Sequence, residues 1–511
     1  MAAPPSWIDT TKHAQDGKRG RPMKTLVMGG GFGGIAAALR MRARGHDVTL
    51  IDRCQRLGGR AQVFERDGYR HDAGPTVITA PFLFAELFAL FGEDIRQRVT
   101  LTPLDPWYRF RFPDERLFDY GPDMDRMESE IARFNADDVA GYRRLLTESR
   151  ALFDIGFREL GDQPFHRVTF MLRQTLRLVR LRADRSVWDM VARHIKDPYL
   201  RRALSLQPLL VGGNPFQTTC IYALIHYLER EWGVHFAMGG TGALVDALAD
   251  LLERQGVRTE NGRTIVALRR DGRLLREAVL DDGRHIKADA FVSNLDPMHL
   301  YGELLDPPPP MARIKNRIAK TSMGLFVLYF GTNCQYPDIA HHTIWLGERY
   351  RELLSDIFDR QILSEDFSLY LHRPTATDPG FAPPGHDSFY VLAPVPNLQA
   401  DIDWDVEGPR LQSRIVDALD RSIMPGLTQS IRAPFYMTPE DFRDSYKSVH
   451  GSGFSVAPLF RQSAWFRFHN QAEGLDNLYL VGAGTHPGAG LPGVLSSAKV
   501  LDRLPISQAA R

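Results

Sequence analysis

The stretch Thr25–Arg53, TLVMGGGFGGIAAALRMRARGHDVTLIDR, decides the fold class of the N-terminal part of the chain. Its apolar start, Thr25–Met28, has the composition of a buried parallel strand. Ile35–Arg44 contains good helix formers and no proline, and Asp47–Ile51 has the composition of a second strand. The order strand, glycine-rich turn, helix, strand predicts the first unit of a parallel α/β sheet.

Three glycines in the turn have the spacing that a bound dinucleotide requires. Gly29, Gly31 and Gly34 would supply a tight turn, a close backbone approach to a pyrophosphate, and close packing of helix against strand. The N-terminus of the helix would then face the phosphates. Asp52 ends the second strand, where its carboxylate can accept hydrogen bonds from ribose hydroxyls. This pattern predicts a dinucleotide site.

Composition narrows the class of protein. The chain has 511 residues, which predicts two or three domains. Its 63 basic residues balance 62 acidic ones, so we expect no nucleic-acid partner. It contains no run of 18 apolar residues, so we expect no membrane-spanning helix. Cys54, Cys220 and Cys334 form neither a disulfide framework nor a metal-binding pattern, which fits a reducing compartment.

The first 22 residues are polar and carry Lys12, Lys18, Arg19 and Arg21. They lack the apolar core of a secretory signal. We expect residues 1–22 to be a disordered basic extension. A basic arm attracted to a membrane is the alternative, and Met23, just before the first strand, is an alternative start.

Three later segments suggest that the cofactor is a dinucleotide other than a nicotinamide one. Gly58-Gly59-Arg60 offers backbone N–H groups and a guanidinium to phosphate oxygens. Asp72–Thr76 is a turn where the backbone can approach a flat ring. Near the C-terminus, a strand at Leu478–Val481 leads through a loop with five glycines to a helix at Val494–Leu501. The start of this helix could stabilise negative charge on a ring carbonyl.

Both glycine-rich loops resemble the FAD-binding signatures of bacterial-type phytoene desaturases, within the wider group of amine-oxidase-like flavoproteins. The middle of the chain resembles the same family in "SMGLFVLYFG" (Ser322–Gly331), "EDFSLYLHRPTATDP" (Glu365–Pro379) and "YVLAPVPNL" (Tyr390–Leu398). The likeness covers roughly Met23–Pro505. It implies FAD as the cofactor and the desaturation of a long polyisoprenoid, with phytoene as the default substrate.

We therefore predict a set of cofactor-binding residues in four segments of the chain. They are Gly29, Gly30, Gly31, Phe32, Gly33, Gly34, Asp52, Gly58, Gly59, Arg60, Gly74, Pro75, Thr76, Gly482, Ala483, Gly490, Leu491, Pro492, Gly493 and Val494.

The resemblance implies an α/β fold in which a Rossmann-like FAD-binding domain is discontinuous in sequence. We assign to it residues 23–101, 219–296 and 438–505. Residues 102–218 are predicted as a mainly helical substrate and membrane region, and 297–437 as a substrate-binding domain with a mixed sheet. Asp-Gly turns at Asp271-Gly272 and Asp282-Gly283 predict hairpin strands over Gly256–Val266 and Arg276–Asp289.

Phe165–Asp184 has the pattern of a basic amphipathic helix. Val168, Leu172, Leu176 and Val179 fall on one face, whereas Arg173, Arg177 and Arg180 fall on another. Such helices lie at anionic membrane surfaces, and a docked helix would suit a substrate that resides in lipid. We therefore expect a cytoplasmic protein that this helix attaches to the inner face of the cell membrane. The alternative is that Phe165–Asp184 is an ordinary surface helix with its arginines in solvent.

The expected reaction removes two hydrogens from an unactivated CH₂–CH₂ unit next to a polyene. The flavin accepts the hydride, and the protein positions the carbon–carbon bond against it. Oxygen or a membrane quinone would reoxidise the cofactor. The sequence identifies no catalytic base. His486 lies in the C-terminal loop, where it could tune the flavin or only pack.

We predict no metal site. His341 and His342 are adjacent, and neighbours on a strand face opposite sides. Other functions remain open at this stage: a desaturase of a hydroxylated or methoxylated carotenoid intermediate, a flavin-dependent carotenoid isomerase, or a prenyl-binding escort protein without catalysis.

Overall fold

The computed structural model describes residues 21–506, apart from the side chains at positions 175, 176 and 178–180. Most of the predicted basic extension, and the predicted contributions of Leu176, Val179 and Arg180 to the amphipathic helix, lie outside this description. The strands are β1 (Lys24–Met28), β2 (Asp47–Asp52), β3 (Val63–Arg66), β4 (Tyr69–Asp72), β5 (Leu101–Pro103), β6 (Tyr108–Arg111), β7 (Leu117–Tyr120), β8 (His235–Ala237), β9 (Arg258–Asn261), β10 (Ile265–Asp271), β11 (Leu274–Leu280), β12 (His285–Lys287), β13 (Ala290–Ser293), β14 (Gly324–Thr332), β15 (His342–Trp345), β16 (Leu369–His372), β17 (Asp387–Val395), β18 (Ile431–Met437) and β19 (Leu478–Leu480).

Helices fill most of the chain between these strands. They are α1 (Phe32–Ala43), α2 (Pro81–Ala89), α3 (Met124–Phe134), α4 (Asp138–Phe153), α5 (Val168–Arg180), α6 (Val187–His194), α7 (Pro198–Leu204), α8 (Leu224–Trp232), α9 (Gly240–Arg254), α10 (Pro297–His299), α11 (Pro310–Ile318), α12 (Tyr350–Ser355), α13 (Trp404–Ser422), α14 (Leu427–Ser430), α15 (Pro439–Tyr446) and α16 (Leu491–Lys499). None of the helices in the described part combines the length and apolarity needed to cross a bilayer.

A five-stranded parallel sheet carries the N-terminal glycine-rich turn. Its strand order is β19-β13-β1-β2-β9, with every pair parallel. The strands come from three distant parts of the chain, and α1, α9 and α16 share one hydrophobic core over the sheet. The prediction of hairpin strands over Gly256–Val266 is wrong for Arg258–Asn261, which forms β9. β9 there pairs in parallel with β2, because it extends the sheet edge instead of turning back on β10.

A seven-stranded mixed sheet forms the second layer, with the order β18-β14-β17-β16-β15-β6-β7. β14 is buried at every position, as a central strand covered on both faces must be. The region predicted as mainly helical begins with β6 and β7, which sequence analysis did not identify. β6 pairs in parallel with β15, more than 200 residues later, so no local signal shows where it belongs. The domain boundaries stay a prediction.

The two Asp-Gly turns join β10 to β11 and β11 to β12 in an antiparallel sheet, as their sequence predicts. The C-terminal helix α16 begins at Leu491, three residues before the predicted start. Pro492 at its first turn explains the difference, because proline is well tolerated there and lacks only an N–H that has no intrahelical partner.

Candidate cofactor and substrate site

A cavity of about 530 Å³ lies between the two large sheets. Glycine-rich backbone from both ends of the chain forms one part of its wall, and leucine and tyrosine side chains form another. Of the twenty predicted site residues, seventeen line it; Gly30, Gly34 and Gly482 do not, although each is next in sequence to a residue that does. Their role in binding the cofactor stays a prediction, but the chain brings all four predicted segments together.

The first glycine-rich turn is too tight for side chains. Gly29 has φ +93°, and a methyl group on Gly34 would lie 1.9 Å from the carbonyl oxygen of Gly29. α1 therefore packs directly against the end of β1. Gly31, Phe32 and Gly33 face the cavity, and no side chain of the described residues caps the start of α1. Its first backbone N–H groups are thus available to an anion.

Asp52 fastens this turn from the neighbouring strand. Its Oδ2 accepts a hydrogen bond from the Gly30 N–H at 2.5 Å, and its Oδ1 accepts one from Cys54 N–H at 2.7 Å. Burial raises the pKa of this carboxyl. Asp52 also lines the cavity, so it can hold the turn and still present oxygen to a ribose.

Asn294, at the end of β13, lies between the two glycine-rich loops, and sequence analysis missed it. A methyl group on Gly33 or on Gly482 would come within 2.5 Å of the Asn294 Oδ1 atom. The same methyl on Gly33 would lie 3.2 Å from the Gly482 Cα atom. The loops therefore touch one another across this single amide side chain.

Arg467 supports the C-terminal loop from beneath and is the second residue that sequence analysis missed. Its guanidinium donates hydrogen bonds to the carbonyl oxygens of Ala483 at 2.6 Å, Thr485 at 3.0 Å and Val456 at 3.0 Å. The side chain is 1% exposed, and burial lowers its pKa. A buried cation thus fixes the backbone of this loop.

The remaining predicted residues lie against these loops. The Gly58 N–H donates to the Gly30 carbonyl oxygen at 2.8 Å, and the Arg60 guanidinium donates to Ser448 Oγ at 2.7 Å. Thr76 Oγ1 lies 2.9 Å from the hydroxyl of Tyr370. Tyr370 lines the cavity, so the Asp72–Thr76 turn joins the glycine-rich side to the seven-stranded sheet.

The histidines are arranged differently from the expectation. His341 precedes β15 in a bend, so it does not alternate with His342, and both rings pack with His372 in one buried cluster. Their ligand atoms lie within 4.8 Å of one another. The argument from opposite strand faces is therefore wrong, although the absence of a metal remains a prediction. His486 lines the cavity, and its Nε2 lies 3.0 Å from the Leu160 carbonyl oxygen. Burial lowers its pKa to about 4, so it is neutral.

Comparison with known proteins decides the family. Residues 32–500 match the family described as "Flavin containing amine oxidoreductase". The chain belongs to this family. The match confirms the predicted fold class and FAD as the cofactor of an oxidoreductase. FAD fits the site described above for two reasons. Glycines line the cavity at positions where a Cβ atom would clash with neighbouring protein atoms. The start of α1, which no described side chain caps, faces the same cavity.

Several relatives within the family are similar over nearly their whole length. The chain is 48% identical to a phytoene desaturase (lycopene-forming) of Pantoea ananas, covering 93% of this chain and 97% of the relative. It is 41% identical to a phytoene desaturase (neurosporene-forming) of Rhodobacter capsulatus, covering 94% and 93%. Among solved structures, an oxidoreductase from Methanosarcina mazei has a TM-score of 0.66 and 16% identity, covering 94% of this chain and all of that one, which supports the fold alone.

Proposed function

We propose that this flavoprotein is a phytoene desaturase that introduces successive double bonds to give neurosporene- or lycopene-type carotenoids. The cavity carries this proposal, because one continuous space joins the FAD cradle to a wall of leucine and tyrosine side chains. Hydrocarbon makes no hydrogen bonds, so an apolar wall suits it. The similarity to desaturases that form lycopene and neurosporene supports the same substrate class.

The chemistry divides between cofactor and protein. FAD, when bound, supplies the hydride acceptor, which no protein side chain provides. The protein excludes water and holds the reacting carbon–carbon bond in place. Residues such as Leu209, Leu353 and Tyr390 line the apolar side and would hold the chain of the substrate by contact alone.

An anaerobic assay tests this function. FAD-loaded protein on liposomes containing phytoene, with a quinone added, is expected to yield carotenoids with new conjugated double bonds and an equal amount of reduced quinone. Chromatography of the extracted pigments identifies the product. Unchanged phytoene with FAD bound would contradict the proposal and favour a hydroxylated or methoxylated carotenoid, or isomerisation without net oxidation.

We further propose that the protein docks on the inner face of the cell membrane through what we call the apolar patch, and that a membrane quinone or oxygen reoxidises the flavin there. The patch consists of exposed apolar side chains on α5, on α11 and in two short turns near residue 463: Val168, Leu172, Met311, Ile314, Ile318, Phe460 and Phe466. Leu172 is 65% exposed and Ile318 is 68% exposed. Side chains this large and this exposed indicate an interaction surface when they cluster.

The elements of the apolar patch touch one another. α5 packs against the turn Ala464–Phe466, and the Lys315 ammonium on α11 donates to the Trp465 carbonyl oxygen at 3.2 Å. Exposed Arg173, Arg313 and Arg317 lie among the apolar residues and would attract anionic lipid. Phe165, Ser463 and Ala464 line the cavity beside the apolar patch, so a docked membrane would lie next to the substrate's path.

The double variant Leu172→Asp/Ile314→Asp is expected to bind anionic vesicles roughly 100-fold more weakly, because each change removes about 1.5 kcal/mol of apolar burial in lipid. Vesicle co-sedimentation measures the partition. Val406→Asp is the control, because Val406 is 43% exposed on α13, in a helix that packs in a different hydrophobic cluster. Equal binding by the double variant and the wild type would refute the apolar patch as the docking surface.

A further inference from the structure

One acid lies on the apolar side of the cavity. Glu229 is on α8, is fully buried, and lines the cavity with Ile225 and Leu228 of the same helix. Within residues 21–506, the other two acids that line it, Asp52 and Asp296, belong to the glycine-rich side. Asp52 accepts two backbone hydrogen bonds there, and Asp296 caps α10 through the Met298 N–H.

The carboxyl group of Glu229 is only half satisfied. Its Oε1 accepts a hydrogen bond from the Tyr108 hydroxyl at 2.9 Å, whereas Oε2 has no hydrogen-bond partner among the described residues. A buried polar atom without a partner costs free energy and calls for a functional explanation. A hydrocarbon substrate cannot provide that partner, so recognition by hydrogen bonding does not explain Glu229.

The position of Glu229 connects it to the flavin side. The Tyr108 ring packs on His342 at 5.9 Å between centroids, and His342 Nδ1 lies 2.7 Å from the Tyr370 hydroxyl. That hydroxyl is 2.9 Å from Thr76 Oγ1 in the predicted flavin-binding turn. Tyr108, His342 and Tyr370 thus form a row of contacting side chains from Glu229 to this turn, and Glu229 and Thr76 line the same cavity.

Among the described titratable groups in this part of the cavity, Glu229 is the one whose charge changes near neutral pH. Burial raises its pKa to about 8, and the hydrogen bond from Tyr108 opposes this rise. The groups that interact with it are Tyr108 on β6, Tyr120 on β7, Tyr142 on α4 and Arg230 on α8. His226, also on α8, lies behind them, with Nδ1 3.3 Å from the Tyr120 hydroxyl. Burial raises the pKa of each tyrosine and lowers that of His226 to about 4, while Arg230 keeps its charge.

We propose that the Glu229 carboxylate is the base that accepts the proton lost in each desaturation step. This inference rests on the proposed desaturase function. FAD, when bound, would take up the hydrogen that leaves one substrate carbon with its electron pair. The adjacent carbon then loses a proton to Glu229, and the electrons of that C–H bond form the new C=C bond. Glu229 becomes a carboxylic acid and must lose its proton before the next step.

Glu229→Gln tests the proposal, with Glu231→Gln as the matched control. The control makes the same change on the same helix at an exposed position outside the cavity. With phytoene and a quinone acceptor, Glu229→Gln is expected to lower kcat about 100-fold and Glu231→Gln to leave it unchanged. The wild-type kcat/KM is expected to rise with pH through about pH 8, as Glu229 loses its proton, and this rise is expected to vanish in Glu229→Gln.

Two further measurements separate a base from a structural residue. Tyr108→Phe removes the hydrogen bond that lowers the pKa of Glu229, so the rising limb is expected to move to higher pH. Infrared difference spectroscopy of the FAD-loaded protein without substrate is expected to show a protonated carboxyl band that disappears as pH rises through about 8, and that is absent from Glu229→Gln.

The outcomes distinguish the two claims. If the wild type desaturates phytoene and Glu229→Gln matches its rate or keeps the pH limb, Glu229 is not the base and the desaturase function stands. If the wild type leaves phytoene unchanged, the function itself fails. A wild-type infrared spectrum without a titrating carboxyl band overturns the role of Glu229 in either case.

Discussion

Gly34→Ala is expected to abolish FAD binding and to leave little folded protein. The added methyl group would lie 1.9 Å from the Gly29 carbonyl oxygen, a backbone atom that no side-chain rotation can move. α1 would have to separate from β1, and the turn that faces the cavity would open. We expect a loss of roughly 3 kcal/mol or more in the free energy of unfolding. Flavin absorbance of the purified protein and thermal unfolding measure the two effects.

Gly283→Ala provides the control for this change. Gly283, unlike Gly34, has a positive φ of +82°, and a methyl group there would have no described atom within 4 Å. It is expected to cost only about 1 kcal/mol, through backbone strain, and to leave FAD content intact. A Gly34→Ala protein that retains a full complement of FAD would contradict the close packing of α1 on β1.

Arg467→Met is expected to destabilise the protein by about 3 kcal/mol and to weaken FAD binding, because three buried carbonyl oxygens lose their donor at once. Two of them, on Ala483 and Thr485, belong to the C-terminal glycine-rich loop. Denaturant unfolding gives the stability, and titration of the apoprotein with FAD gives the affinity.

Arg467→Lys separates charge from geometry. A single ammonium cannot reach carbonyl groups on two segments as the guanidinium fork does, so the lysine variant is expected to lose nearly as much FAD affinity as the methionine variant. Arg461→Met, at an exposed position nearby in sequence, is expected to match the wild type. Wild-type FAD affinity in both Arg467 variants would refute the supporting role of this side chain.

The sequence predicted those features of the site that depend on residues close together in the chain. The turn that contains Gly29, Gly31 and Gly34 forms at the end of β1 as predicted, and Asp52 lies at the end of β2 beside it. Gly490 to Gly493 likewise precede or open a helix at the cavity. Each of these features depends on local spacing, which a single sequence displays directly.

Single residues that act across the fold were not predictable in this way. Three such residues are Asn294, Arg467 and Glu229, and none belongs to a sequence motif. Asn294 and Glu229 contact residues more than 100 positions away in the chain. Arg467 contacts the C-terminal glycine-rich loop, which folding brings beside it. The pairing of β6 with β15 and the cluster of His341, His342 and His372 have the same origin. These features arise from tertiary contacts, so the local pattern of residues in the sequence does not predict them.

The order of strands in the parallel sheet bears on how the protein is made. β19 pairs with β13, which in turn pairs with β1, so the sheet is complete only when residues 478–480 have been added. A chain still attached to the ribosome lacks this strand and the glycine-rich loop that follows it until residues 478–493 have been synthesised and have emerged. Flavin incorporation is therefore expected only after these residues have emerged, and truncations before Leu478 should yield colourless protein however much N-terminal sequence they retain.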